Sequence, residues 1–190
     1  MGKSKKSAFE RILKMGAEMI PVVFGVFLAL ALSNFQETQK EKAFIKKALD
    51  AVLEENELNK IEIEQLLNKQ YRTLDSLSYY KSDSSISVLD IIRKVKGLST
   101  PDLITTSSDF LFNTHLNLVD FEVLKKLSEL KVKTKSYELS SQIMISNFHP
   151  IIHKSETIHK NTLVFMLTDL IEVEKELLVL YEAFRESAGS

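Results

Sequence analysis

Residues 19–32 read MIPVVFGVFLALAL, a run without any charged or strongly polar side chain. A helix that crosses a bilayer needs about 20 mostly apolar residues, because each residue rises only 1.5 Å along the axis. This run is slightly short, but long flanking side chains such as Lys14 and Glu18 can reach the headgroups. We therefore predict a transmembrane helix over residues 16–34, after a basic cytoplasmic tail at residues 1–15.

Two other interpretations of this segment stay open at the level of sequence. A cleaved signal peptide also has a basic start and an apolar stretch, and Ala29-Leu30-Ala31 fits an A-x-A cleavage pattern. Against cleavage, the helical pattern continues through residues 34–50 without an extended break. A helix buried in the core of a soluble protein is the third interpretation.

The basic residues around the segment predict its orientation. Five Lys or Arg residues lie within the first fourteen positions, and four Lys residues (Lys40, Lys42, Lys46 and Lys47) follow the segment. Basic flanks stay on the cytoplasmic side of a membrane. The bias is small, and it places the N-terminus in the cytoplasm and the larger domain in the periplasm of a bacterial inner membrane.

Small residues recur every four positions along the apolar segment and so share one helix face. Glu18 points in a similar direction, and the predicted partner face comprises Glu18, Pro21, Gly25, Ala29 and Ser33 together with Ala17. Small side chains let a second helix approach closely in lipid. The face therefore indicates a membrane-protein partner or a homo-oligomer. In the alternative interpretation, the small residues are those common in any transmembrane helix, and Glu18 only reaches the lipid headgroups.

The segment resembles the start of a family of small single-pass inner-membrane proteins of unknown function found in the Bacteroidota. The residues that match the family pattern are Glu18, Val22, Val23, Gly25, Ala29, Leu30, Asn34 and Glu37. Mild departures from the pattern occur at Ser33, Phe35 and Gln36, and Pro21 is unusual in it. Residues 120–143 resemble, more loosely, the paired helices of that family, which a short turn separates. The resemblance implies an inner-membrane anchor and an external helical domain, and it implies no activity.

Composition indicates an all-α fold beyond the anchor. The 190 residues include only five Gly and three Pro, so few turns are available for a sheet. Residues 34–190 carry four more acidic than basic groups, which excludes the dense basic face of a nucleic-acid-binding protein. Cysteine is absent, which excludes disulfides, thiolate zinc sites and thiol catalysis.

Two long helical patterns predict the main packing. From residue 35 to about 80, helix spacing places Ile45, Leu49, Val52, Ile63, Leu66 and Leu77 on one seam with Asn56, Asn59 and Gln70. These polar residues either are buried and fix the register of packing, or lie where the helix is open to water. The last helix repeats at steps of three and four through Leu163, Met166, Leu170, Val173, Leu177, Leu180 and Phe184.

We expect a transmembrane helix that continues into a long stalk helix. The stalk packs against the antiparallel C-terminal helix and short middle helices in a bundle over residues 35–187. One short helix is predicted at 87–96 and ends at Gly97, and a second starts at Ser99-Thr100-Pro101-Asp102. Asp120 caps a helix to about Leu130, and Thr134 or Ser136 begins another to about Ser146. Residues 188–190 are set aside as a candidate cloning remnant.

His149, His153 and Glu156 are the only candidates for metal chemistry, since they fall at i, i+4 and i+7. Pro150 weakens this pattern by placing His149 at a helix start, and no cofactor is expected. We find no phosphate-binding loop or nucleophile elbow. The leading hypothesis is a non-enzymatic, membrane-anchored interaction protein of a bacterial envelope complex. The alternative is an anchored helical module that senses or binds a ligand.

Overall fold

The computed structural model describes the backbone of residues 3–114 and 119–189, and the side chains of residues 19–114 and 119–189. This part of the chain forms five α-helices and no strand, which confirms the all-α prediction. The helices are α1 (Lys3–Tyr79), α2 (Val88–Lys94), α3 (Thr106–Thr114), α4 (Phe121–Ile151) and α5 (Thr157–Ala188). The chain divides into two compact units, residues 1–46 and residues 47–190.

The first unit contains the apolar segment. Every side chain described from Met19 to Lys40 is exposed, and Phe27 is 73% exposed. A helix that is apolar on all sides and exposed on all sides lacks the protein partner that a core helix has. The interpretation as a buried core helix is therefore wrong, and this N-terminal helix is long and apolar enough to span a membrane.

The second unit begins within α1. The buried face of α1 in this unit is the seam predicted from the sequence. Val52, Ile63 and Leu77 are completely buried. Asn59 and Gln70 are also buried, as is Asn56. The interpretation in which these polar residues face water is therefore wrong, because helices and loops of the second unit cover them.

Helix α5 runs antiparallel to the second-unit part of α1, as predicted. Lys60 of α1 pairs with Glu182 near the end of α5, whereas Gln70 of α1 pairs with Glu174 nearer its start. The seam of α5 is buried except at Leu180, which is half-buried. The closest backbone neighbour of α5 is α4, however, so a third long helix completes the bundle alongside the short ones.

The prediction of two helices between residues 120 and 146 is wrong. Asp120 caps α4 as expected by accepting a hydrogen bond from the Glu122 N–H at 2.9 Å, but α4 continues unbroken to Ile151. The predicted turn contains no Gly or Pro, and Thr134 and Tyr137 are buried against the bundle. Burial of these two side chains extends the buried face of α4 across the predicted turn. This packing keeps the segment helical.

The predicted helix start at Ser99-Thr100-Pro101-Asp102 is also wrong. Residues 97–105 are not helical, and α3 begins only at Thr106. The carbonyl of Pro101 accepts a hydrogen bond from the Tyr137 hydroxyl, and the Asp102 N–H donates to Glu62. These contacts replace the hydrogen bonds that a helix would make. The short helix α2 agrees with its prediction, since Gly97 follows it with a φ of 97°.

A buried ammonium joins α5 to the end of α1. The Lys160 side chain is completely buried, and its Nζ donates hydrogen bonds to the carbonyls of Tyr80 (2.9 Å) and Asp83 (2.5 Å). These carbonyls follow the C-terminus of α1, where carbonyl groups lack helical partners and the helix dipole favours a cation. Lys160 therefore fixes the position of the α1–α2 turn on α5.

We predict that Lys160→Met lowers the free energy of unfolding by about 2–3 kcal/mol, because the carbonyls of Tyr80 and Asp83 lose a charged donor. The measurement is chemical unfolding of the full chain in mild detergent, followed by circular dichroism. Lys175→Met, at an exposed position of the same helix, is the matched control; it loses only the contact of its ammonium with the Tyr71 ring and changes stability by less than about 1 kcal/mol. Equal stability of the two variants would contradict the role given to Lys160.

Candidate functional site

The predicted partner face of the anchor lies on one side of α1. Pro21, Gly25, Ala29 and Ser33 are all exposed, and a Cβ added at Gly25 would meet no atom within 4 Å. The Glu18 side chain lies outside the described residues. Small exposed residues in one row leave room for the backbone of another helix.

The histidine cluster suggested by the sequence does not assemble into a metal site. His149 lies in the last turn of α4 beside Phe148, and His153 is exposed in the turn that follows. Glu156 lies at the start of α5 and pairs instead with His159, at 3.8 Å. The helix ends between these residues, so their spacing does not place them on one face. No group of three metal-binding side chains occurs in the described part of the chain.

A buried polar site that the sequence did not identify lies within the second unit, where α1 meets the loop before α3. The Asn59 amide donates to the carbonyl of Ile104 and accepts from its N–H, both at 2.8 Å. Such a two-point contact imitates backbone pairing and satisfies both main-chain groups of one residue. Asn59 thereby holds the loop against α1.

Glu55, one helical turn earlier, fixes the start of α3. Its two carboxylate oxygens accept hydrogen bonds from the N–H groups of Ser107 (2.7 Å) and Ser108 (3.3 Å). The first N–H groups of a helix lack helical partners, and a carboxylate there also interacts favourably with the helix dipole. Glu55 is buried, although a Glu-Glu pair such as Glu54-Glu55 on a long helix is typical of a solvated face.

These contacts frame a cavity of about 490 Å³ between α1, α3, α4 and Tyr181 of α5. Its apolar wall comprises Ile104, Leu127, Leu130 and Val132. Lys131 and Lys135 of α4 line it too, and both are exposed, so this side of the cavity reaches the surface. The size falls within the range of small-molecule sites, about 300–1,000 Å³.

Two buried polar groups of the cavity residues have no hydrogen-bond partner within the described chain. They are the Asn56 amide nitrogen Nδ2 and the proton of the Tyr181 hydroxyl, whose oxygen lies beside the Asn59 amide. Burial raises the pKa of Tyr181 above its usual value, so the hydroxyl keeps its proton and remains a donor. An unpaired buried donor costs about 1–3 kcal/mol, so a structure that keeps two of them calls for an explanation.

Gln70 of α1 and Glu174 of α5 form another buried polar contact. The Gln70 amide donates to Glu174 at 2.9 Å, while the second Glu174 oxygen and the Gln70 carbonyl oxygen lack partners. Burial raises the pKa of Glu174 to about 7. A proton on Glu174 would supply the donor that the Gln70 carbonyl oxygen lacks. The protonated carboxyl is therefore the form that suits this position best.

Comparisons with protein-family models, with curated proteins and with solved structures find no match for this chain. The resemblance of the anchor segment to an inner-membrane family therefore stays a prediction. The candidate function depends on the sequence and geometry of the chain itself.

The Glu174 carboxyl makes the free energy of unfolding depend on pH. Because its pKa is raised from 4.5 to about 7 in the folded state, the folded chain binds more protons than the unfolded chain between these values. The free energy of unfolding therefore falls as pH rises from about 5 to 8, by up to about 3 kcal/mol from this group.

We predict that Glu174→Gln removes this loss and is more stable than the natural chain at pH 8, with little difference at pH 5. Chemical unfolding in detergent across this pH range measures the effect. Glu172→Gln, at an exposed position of α5, keeps the slope of the natural chain and serves as the control. An unchanged slope in Glu174→Gln would contradict the assignment.

Proposed function

We propose that this protein is a non-enzymatic, membrane-anchored interaction protein, a subunit or accessory of a bacterial envelope complex. The apolar surface of residues 19–32 is the observation that supports this most strongly. Its side chains are exposed around the whole helix, an arrangement that is stable in lipid and costly in water. The helix holds the bundle at the membrane.

The chain is oriented with its N-terminal tail in the cytoplasm and its second unit in the periplasm. The greater number of Lys and Arg residues before the anchor supports this orientation. The anchor docks on another membrane helix through the row that includes Pro21, Gly25, Ala29 and Ser33. The open space around Gly25 supports this docking, because a partner backbone fits there without displacing any side chain.

Membrane insertion is tested with two arginines in the anchor. We predict that Val23→Arg with Phe27→Arg moves the protein out of alkali-washed membranes. Each arginine in the middle of a span costs about 2.5–3.5 kcal/mol. Fractionation followed by immunoblotting measures the shift.

Phe165→Arg with Val179→Arg is the matched control for this test. It changes the same two residue types at exposed positions of α5 and leaves the protein in the membrane fraction. Membrane anchoring would be wrong if the anchor variant stayed in the membrane, or if the natural chain were soluble without detergent.

Docking is tested at Gly25. We predict that Gly25→Ile abolishes co-purification of the stoichiometric partner in mild detergent, because the new side chain fills the space the partner helix needs. The helix itself has room for the substitution, so folding is unaffected. Val23→Ile, nearly opposite on the helix, retains the partner. Purification of the natural chain as a monomer without any stoichiometric partner would refute docking.

A further inference from the structure

Helix α4 carries a second row of apolar side chains on the side away from its buried seam. The row is spaced by eleven, seven and four residues, which are close to whole helical turns, and it comprises Phe121, Val132, Leu139 and Ile143. All four side chains are exposed, and Phe121 and Val132 are each more than 70% exposed. We call these four residues the α4 row.

Helix α5 has a matching row beside it. Ile158, Phe165 and Val179 follow one another by seven and fourteen residues, and all three are exposed. We call them the α5 row, and the two rows together the outer face. A groove of about 690 Å³ runs between α4 and Leu180 of α5 and is lined by Phe121 of the α4 row, so the rows share one surface. Aligned apolar rows of this kind mark an interaction surface, whereas single exposed apolar residues do not.

The charges of the two helices indicate what covers this surface. Helix α4 contains five Lys and three Glu residues, whereas α5 contains six acidic and three basic residues. On the outer face itself, Lys125 of α4 lines the groove, and the exposed Glu172 of α5 lies seven residues from both Phe165 and Val179. The surface of α4 is therefore complementary in charge to that of α5 and not to its own. A second copy of this chain presents the required surface.

Two contacts fix the levels of α4 and α5 along the pair. Ser140 donates a hydrogen bond to Asp169 at 3.0 Å, and Lys133 pairs with Glu176. Because the helices are antiparallel, a step of seven residues along α4 corresponds to a step of seven in the opposite direction along α5. This register determines which residues of the two rows lie at one level.

The register places apolar residues of the two rows level with each other. Ile143 lies level with Phe165, and Val132 lies within one turn of the level of Val179. A two-fold axis parallel to the helices leaves every residue at its level and brings α4 of one copy onto α5 of the other. Ile143 then meets Phe165 of the second copy, and Val132 meets Val179, so each row covers the other.

From these observations we propose that the protein forms a homodimer in which the α4 row of each copy packs on the α5 row of the other. The four helices make an antiparallel bundle about a two-fold axis parallel to them. The α4 row is about 33 Å long and the helix pair is about 20 Å wide, so the dimer covers about 1,200 Å² in total. This area exceeds the roughly 1,000 Å² expected of a specific interface.

A two-fold axis perpendicular to the helices is disfavoured on two grounds. It would bring α4 onto α4 of the second copy, with lysines facing lysines. It would also start the second-unit parts of α1 at opposite ends of the dimer, whereas two chains anchored in one membrane need them at the same end. The second ground depends on the anchoring proposed above, and the first does not.

Disulfide cross-linking tests the arrangement, because the natural chain has no cysteine. Two full-length chains with different tags, one carrying Val132→Cys and the other Val179→Cys, are produced together, and their membranes are oxidised with copper phenanthroline. A disulfide requires Cα atoms within about 7 Å of each other. We expect a cross-linked dimer that contains both tags on a non-reducing gel, and the same result for Ile143→Cys with Phe165→Cys.

Two control pairs use the same face of the protein. Val132→Cys in both chains cross-links at least fivefold less, because the two α4 helices occupy diagonal corners of the bundle, about 14 Å apart. Val132→Cys with Ile158→Cys also cross-links at least fivefold less, because their levels differ by about 30 Å along the helices. Cross-linking mainly between two Val132→Cys chains would indicate the perpendicular axis and overturn the proposal.

The oligomeric state gives an independent measurement. In mild detergent, light scattering after size exclusion shows the natural chain as a dimer, and Val132→Asp with Phe165→Asp raises the dissociation constant at least tenfold. Both positions are exposed, so the helical content measured by circular dichroism is unchanged. Leu58→Asp, at an exposed position of α1, is the control and stays dimeric.

The anchor variant Gly25→Ile separates this interface from docking through the anchor. We expect the Val132–Val179 cross-link to persist in it, and its loss would make the contact a consequence of the anchor and overturn the proposal. The proposal is also overturned if the natural chain is monomeric in detergent, if neither cysteine pair cross-links, or if Val132→Cys cross-links to a different protein instead. None of these results bears on whether the anchor variant Val23→Arg with Phe27→Arg leaves the membrane.

Discussion

The buried polar face of α1 is the constraint on which the second unit depends. A buried amide or carboxylate is tolerated only where it is hydrogen-bonded, so each such residue dictates what must lie opposite. Asn59 requires the two main-chain groups of Ile104, and Glu55 requires the first N–H groups of α3. Gln70 requires Glu174 on α5. Apolar side chains at these positions would allow many alternative packings, whereas the polar side chains allow few.

This constraint also explains why the bundle is incompletely filled. Residues 97–105 form no helix, and Asn59 holds Ile104 of this loop against α1, which leaves the space beside the loop unfilled. The cavity and its unpartnered donors on Asn56 and Tyr181 lie there. The same polar contacts thus give the second unit a specific architecture and leave a cavity of about 490 Å³ in it. Lys160 and Glu174 show the same dependence of a buried polar side chain on a particular neighbour.

Helix α1 belongs to two environments that follow different physical rules. Through residues 19–32 its side chains are apolar on all faces and exposed, which suits lipid. From residue 47 onward one face is buried and the other is charged, which suits a bundle in water. Residues 26–79 contain neither Gly nor Pro, so one helix continues unbroken from the apolar segment into the second unit. The apolar surface of the first unit and the buried polar contacts of the second unit therefore depend on separate residues.

The sequence by itself determined the helices and their apolar seams, because periodicity depends only on neighbours along the chain. It correctly placed the long first helix, the seam of α5 from Leu163 to Phe184 and the cap at Asp120. The tertiary structure alone decided that α4 is unbroken, that residues 97–105 are not helical and that Glu55 is buried. Each of these depends on a partner distant in sequence, such as Ile104 for Asn59 or Tyr137 for Pro101. Periodicity carries no information about such partners, so the cavity became visible only in the folded chain.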